Sequence, residues 1–186
     1  MLETLEKNEV VFHNNNTFTK YISELKIKER ISELSKELFI NFKDKNPLFL
    51  PVLNGSFIFS ADLVRQLDFP CDISFVKVAS YEGIGSNEFV KFLIGLTEEI
   101  TGRNIIILED IVDTGNTLSQ LISQLKIKNP LSITTVCLLQ KMGNLKYNIQ
   151  PDYIGFTVKN NFYIGYGLDC DGFGRNLPTI YKLENK

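Results

Sequence analysis

Ile105-Ile106-Ile107-Leu108-Glu109-Asp110-Ile111-Val112-Asp113-Thr114-Gly115-Asn116-Thr117-Leu118 decides the fold. Its first four residues are apolar on both faces of an extended chain, as in a strand buried between two layers. Two adjacent carboxylates follow, then Ile111 and Val112, then Asp113 and a short polar loop, Thr114 to Thr117. Leu118, Leu121, Ile122 and Leu125 then recur at helical spacing, and Asn129-Pro130 closes the helix. A core strand thus delivers acidic and hydroxyl side chains to the mouth of a helix.

The same alternation extends both ways along the chain. Upstream, Ile27, Ile31, Leu34, Leu38 and Phe42 predict a long amphipathic helix. Pro47 to Leu53 predicts a buried strand, against which only Pro51 argues. Phe59, Leu63 and Leu67 predict a helix stopping before Pro70, and Ile73 to Val78 a further strand. Ser80 to Asn87 reads as a polar, glycine-bearing loop. Downstream, strands are expected at Ile133–Leu139, Ile154–Val158 and Phe162–Tyr166. Strands alternating with helices imply an α/β fold: an open, mostly parallel twisted sheet flanked by helices. The C-terminal stretch carries strand signals and little helix, predicting a small hood lobe over the sheet's carboxyl edge. Without repeats or a linker, residues 1–186 read as a single domain.

Composition narrows the chemistry. The chain is 44% hydrophobic and 23% charged with a net charge of −2, a globular profile with no sign of a nucleic-acid partner. No apolar run approaches the roughly 18 residues of a membrane span, and Met1 to Glu9 lacks the apolar core of a secretory signal. Cys71, Cys137 and Cys170 show no CxxC spacing; the first two read as small buried hydrophobes of a cytoplasmic protein. The one histidine, His13, reads as a solvated loop residue and excludes multi-histidine metal centres. Catalysis therefore falls to carboxylates, lysine, backbone amides or a bound ion.

Backbone amides and hydroxyls of Thr114 to Thr117, backed by a helix N-terminus, suit a phosphate. Glu109, Asp110 and Asp113 would repel it unless they meet sugar hydroxyls or a hard cation such as Mg²⁺. A sugar phosphate bound with magnesium satisfies both. The plainer alternative is a capped helix after a core strand, with Asp113 or Thr114 as N-cap. The loop lacks the closing Gly-Lys-Ser/Thr of a Walker A motif.

Glu109 to Leu118 resembles the phosphoribosyl pyrophosphate motif of type I phosphoribosyltransferases. The wider order is similar to the hypoxanthine-guanine phosphoribosyltransferases: Leu53-Asn54-Gly55-Ser56-Phe57, Ser80-Tyr81, Leu138-Leu139-Gln140-Lys141, Asp152 to Phe156, Phe162 to Asp169 and Arg175-Asn176-Leu177. The resemblance implies the type I fold and Mg²⁺-dependent transfer of a phosphoribosyl group to a 6-oxopurine, hypoxanthine or guanine. By it, Glu109 and Asp110 would hold the ribose hydroxyls, and Asp113 would act as general base at purine N7. Thr114, Gly115, Asn116 and Thr117 would cradle the 5′-phosphate. Asn54, Gly55 and Arg175 would meet pyrophosphate, the first two at an unusual cis peptide. Lys141 would donate to O6, Phe162 would stack on the base, and Tyr163 would present its backbone to it. Asp169 would complete the purine end and, with Glu109 and Asp110, support magnesium. Ser80 and Tyr81 would begin a mobile loop, and the family pattern implies a homodimer or homotetramer.

Taken singly, some of these residues have simpler readings. Phe162 could be core, Lys141 a solvated strand end, and Asp169 with Arg175 a surface ion pair. Two departures also stand out: Asn54 replaces a usual lysine, and Met142-Gly143-Asn144-Leu145-Lys146 lacks a usual arginine. The rival functions are a xanthine-preferring enzyme and a non-catalytic regulator that binds phosphoribosyl pyrophosphate or nucleotide.

Overall fold

The computed structural model describes residues 9–82, 88–147 and 149–184. In chain order, β1 (Val10–His13) and β2 (Asn16–Ile22) form a hairpin, followed by α1 (Glu24–Phe42) and β3 (Leu48–Leu53). Then come α2 (Phe57–Val64), β4 (Asp72–Ile73), β5 (Val76–Glu82) and β6 (Glu88–Ile94). The rest comprises β7 (Asn104–Val112), α3 (Asn116–Lys126), β8 (Ser132–Lys141), β9 (Tyr153–Val158), β10 (Tyr163–Ile164) and β11 (Ile180–Leu183).

The larger sheet runs β6-β5-β3-β7-β8-β9, with β4 also on β3. Each of its pairings is parallel except β5 with β6. Phe49, Ile106 and Leu108 pack with the apolar stripes of α1 and α2. Leu48, Leu50, Val52, Ile105 and Ile107 pack instead with Leu118, Leu121 and Leu125 of α3. Successive residues of β3 and β7 therefore enter opposite layers, both dry, which explains strands without polar alternation. Each fully buried Ile or Leu contributes roughly 1.5–3 kcal/mol. Such a frame holds the carboxyl ends of β7 and β8 rigidly.

The expected α/β architecture is present, with four departures. The strand read at Ile73–Val78 is two strands, β4 and β5, separated at Ser74 and Phe75. The Ser74 N–H donates to the Phe49 carbonyl at 3.0 Å, so strand alternation directs Pro51 to the same neighbour. Proline has no N–H to continue that ladder, and the gap falls where it stands. Second, Ser80 and Tyr81 are strand, not loop: β5 runs to Glu82 and pairs with β6, while residues 83–87 lie outside the described residues. Third, the hood is a four-stranded antiparallel sheet, β1-β2-β11-β10, built from both ends of the described chain. Phe18, Ile164 and Tyr181 form its core. Fourth, His13 belongs to β1, and its ring stacks on Phe173 at 4.2 Å. Cys137 is buried as expected; Cys71 is only half-buried against the core, and all three thiols are free.

Candidate active site

Glu109 and Asp110 leave the dry part of β7 as adjacent carboxylates. Glu109 is 8% exposed, and its Oε2 is buried without a hydrogen-bond partner. Burial first, and the neighbouring Asp110 charge second, push its carboxyl well above the usual range. Burial also raises Asp110, although the Ile111 N–H, 2.8 Å away, and the charge of Arg175 work against it. An orphaned, buried carboxylate oxygen beside a second carboxylate requires a proton, a cation or a hydroxyl donor.

Asp113 sits four residues further on, half-exposed at the strand's exit. Lys141, at the end of β8, donates to its Oδ2 at 2.6 Å, and the Asn144 amide donates to Oδ1 at 2.7 Å. Burial would raise the Asp113 pKa, but these bonds and the charges of Lys141 and Lys146 hold it below the ordinary range. Asn144 occupies the run that lacks the usual arginine. Gly143 explains how it arrives: its positive φ of 74° turns the chain back directly after β8. A glycine two residues beyond a lysine-ended strand was the available signal.

The loop after Asp113 opens α3 without a side-chain cap. Its N-cap is Gly115 with φ of 83°, a conformation that favours glycine, so the plainer reading of Asp113 or Thr114 as N-cap is corrected. Thr114 Oγ1 accepts the Asn116 N–H at 3.3 Å, and its carbonyl accepts the Lys146 N–H at 3.0 Å. Glu109 and Asp113 to Leu118 line one cavity of about 90 Å³. First-turn helix amides at such a mouth attract an anion.

A second group gathers around Asn54 and Gly55, where the Leu53–Asn54 peptide is cis. A Cβ at Gly55 would overlap the Asp110 carboxylate, and one at Gly167 would overlap the Gly55 carbonyl. The two glycines thus let β7, the β3–α2 turn and the hood close on one another. Arg175 donates to the Gly167 carbonyl at 2.7 Å and pairs with Asp169 at 2.6 Å. Arg175 is therefore bound to its own turn, and the ion-pair reading of Asp169 and Arg175 describes their contact. Tyr166 ties this turn to α2 through a 2.6 Å hydrogen bond to Asp62. Sequence reasoning assigned no role to Gly167 or Asn144.

Phe162 and Tyr163 stand in the hood. Phe162 is 46% exposed, not core, and lies tilted against Phe18 at 6.4 Å. Tyr163 is buried and meets Tyr21 at 5.3 Å. The adjacent hard oxygens of Glu109 and Asp110 suit Mg²⁺, and the unpartnered Glu109 oxygen fits that requirement. Asp169, paired with Arg175, does not gather with them into a three-residue ligand cluster among the described residues.

The chain belongs to the phosphoribosyl transferase domain family, whose domain matches residues 20–171. Among its relatives, the hypoxanthine-guanine-xanthine phosphoribosyltransferase of Tritrichomonas foetus is 39% identical over 159 residues, covering 85% of this chain and 87% of that protein. The bifunctional protein TilS/HprT of Listeria monocytogenes is 39% identical over 164 residues, 88% of this chain. This chain spans about a quarter (25%) of that relative's length. A hypoxanthine-guanine phosphoribosyltransferase structure from Bacillus anthracis, with a HEPES molecule in its active site, superposes with a TM-score of 0.83 at 34% identity, covering 89% of this chain and 96% of that one.

Proposed function

We propose that this chain transfers the 5-phosphoribosyl group of phosphoribosyl pyrophosphate to N9 of a 6-oxopurine, hypoxanthine or guanine. The products are IMP or GMP and pyrophosphate, a purine-salvage reaction carried by one domain. The observation that carries the reading is Asp113, gripped by Lys141 and Asn144 at the mouth of a helix whose N-cap is a glycine.

The 5′-phosphate is received by Thr114 to Thr117, and the ribose hydroxyls face Glu109 and Asp110. Lys141 presents donors only, so it suits an O6 carbonyl and opposes the amino group of adenine. As the base accepts a hydrogen bond from Lys141, Asp113 loses part of its pairing and becomes more basic. Asp113 then takes the N7 proton while N9 bonds to C1′ and the C1′–oxygen bond to pyrophosphate breaks. Positive charge builds at C1′ in an oxocarbenium-like transition state, and no covalent bond to the protein is needed. Asn54 and Gly55 offer backbone to the leaving group. Arg175 exchanges Asp169 for it, and exposed Phe162 offers the purine a stacking face. Glu109, Asp110 and Asp169 would hold Mg²⁺, which neutralises charge on the departing pyrophosphate.

The setting proposed is cytoplasmic, which suits three free thiols. Among the described residues no helix is long and apolar enough to cross a membrane. A homodimer or homotetramer is supported by half-exposed Phe57, Ile73 and Phe75, which line an apolar recess of about 310 Å³. Light scattering that shows only monomer overturns that assembly.

The deciding experiment is a spectrophotometric assay with phosphoribosyl pyrophosphate and Mg²⁺, offering hypoxanthine, guanine, xanthine and adenine separately. Turnover of oxopurines but not adenine, lost without Mg²⁺, supports the reading and ranks the bases. Tight binding of phosphoribosyl pyrophosphate with no turnover of any base replaces it with a regulatory role.

A further inference from the structure

At the edge of the hood, a ring nitrogen of His13, Sγ of Cys170 and a carboxylate oxygen of Asp171 lie within 4.8 Å of one another. We infer that these three side chains form a binding site for one zinc-class divalent ion, apart from the magnesium carboxylates and independent of the transferase reading.

The donor set argues first. Nitrogen, thiolate sulfur and one carboxylate oxygen are what zinc takes, whereas magnesium takes oxygen alone. An ion that prefers the Glu109 and Asp110 oxygens therefore has little reason to choose this cluster. Three protein ligands leave a fourth position for water.

His13 supplies an independent observation. Its Nε2 is buried and has no hydrogen-bond partner. A buried imidazole nitrogen in that condition is destabilising, and a native protein normally satisfies it, with an ion as one means. The ring is also held in place. Phe173 lies over it at 4.2 Å with planes 6° apart. Phe173 and Cys170 exchange backbone hydrogen bonds of 2.9 and 3.0 Å, which closes a tight turn through Asp171 and Gly172. Asp171 and Gly172 take the positive φ values, 52° and 85°, that such a turn requires. One four-residue turn thus presents the sulfur, the carboxylate and the ring that orients the third ligand.

Donor atoms of a tetrahedral zinc stand roughly 3.3–3.8 Å apart, given bonds of about 2.0–2.3 Å. Capture therefore requires closure of about 1 Å. Exposed Asp171 can supply it by rotation, since its carboxylate already lies 4.0 Å from the Cys170 sulfur. The ion would then fasten β1 to the turn whose Gly172 N–H bonds Asp169 at 2.7 Å, so the far end of the chain would brace the Asp169–Arg175 pair.

The test is a Co²⁺ titration of the metal-stripped full chain in excess Mg²⁺, which keeps the active-site carboxylates occupied. One cobalt per chain, with a sulfur-to-cobalt charge-transfer band that Zn²⁺ displaces and Cys170→Ser abolishes, is the expected result. His13→Phe preserves the aromatic stack and removes the nitrogen. It should weaken cobalt binding at least about tenfold while leaving the metal-free melting temperature unchanged. Absence of the band in the wild type overturns the site. So does a band that survives Cys170→Ser, because Cys71 or Cys137 would then be its source. Unchanged cobalt affinity in His13→Phe overturns it as well, even if the serine variant does not fold.

Discussion

Two halves of the site handle charge in opposite ways. At the carboxyl edge of β7, Glu109 and Asp110 are fixed by a strand dry on both faces, and one Glu109 oxygen has no partner. In the hood turn, Asp169 and Arg175 neutralise each other at 2.6 Å, and Arg175 also holds the Gly167 carbonyl. The strand half carries unmet demand, which on the proposed function a cation and a sugar would meet. The hood half is already satisfied, so ligand binding there must exchange one partner for another. Rigid burial therefore stores affinity, while the hood stores order, and four substitutions separate the two.

The largest effect should come from Asp113→Asn, which keeps the shape and removes the proposed proton acceptor. General-base loss predicts a fall in kcat of about 10²–10⁴, with KM for phosphoribosyl pyrophosphate nearly unchanged. Steady-state kinetics check this, and wild-type turnover in the variant would remove Asp113 from the chemistry. Gly167→Ala tests the hood half next. Its φ of 101° disfavours a side chain, and the new Cβ would overlap the Gly55 carbonyl. Strain of about 1–3 kcal/mol predicts a melting temperature lower by roughly 2–12 °C. Pyrophosphate affinity should fall with it, and thermal melts with and without pyrophosphate read both. An unchanged melt would mean that the hood does not rest on Gly55.

The same contrast explains what the sequence made legible. The strand half is ten consecutive residues, Glu109 to Leu118, so its acids, loop and helix mouth could be read in order. The hood could not be read that way, because β11 pairs with β2 across the chain, Ile180 beside Ile22. No local periodicity encodes such a pairing, and a two-residue strand such as β10 carries little signal. His13 looked solvated because Asn14-Asn15 follow it; those residues are the positive-φ turn of a hairpin. The β5–β6 pairing escaped for a related reason: Ser80-Tyr81-Glu82 is polar, and its strand character comes from the partner Val90-Phe89-Glu88. Around Asp113, Lys141 was visible at a strand end, but Asn144 was not, since only Gly143 hints that the chain turns back.

Glu109→Gln probes the stored demand directly. Folded Glu109 titrates above its unfolded value, so its favourable contribution is complete below the unfolded pKa and is lost as pH rises through the raised one. Glutamine stays neutral and can still donate to Asp110, as the protonated acid does. The apo variant should therefore melt about 2–4 °C above wild type at neutral pH, per kcal/mol relieved. The gain should vanish near pH 4. Stabilisation by phosphoribosyl pyrophosphate with Mg²⁺ should shrink in the same variant. An advantage over wild type that is no larger at pH 7 than at pH 4 would mean that the buried carboxylate is already compensated in the free protein.

Asn144→Ala is the mildest change, and it asks whether the departure from the usual arginine does chemical work. Removing one of two donors leaves Asp113 with Lys141, so its pKa should rise toward the ordinary aspartate range. On the proposed function activity needs ionised Asp113, and the acid limb of kcat/KM against pH reports the free enzyme. That limb should move toward neutral pH in the variant. At neutral pH Asp113 is ionised in both proteins, so any difference there reflects positioning and should be on the order of threefold. The carboxylate is 43% exposed, and water replaces much of what the amide gave. If the limb does not move, Lys141 alone sets the acidity of Asp113, and Asn144 merely closes the turn after β8. If it moves with little loss at neutral pH, Asn144 widens the acidic working range. The strand half would then owe part of its tuning to a residue beyond its contiguous ten.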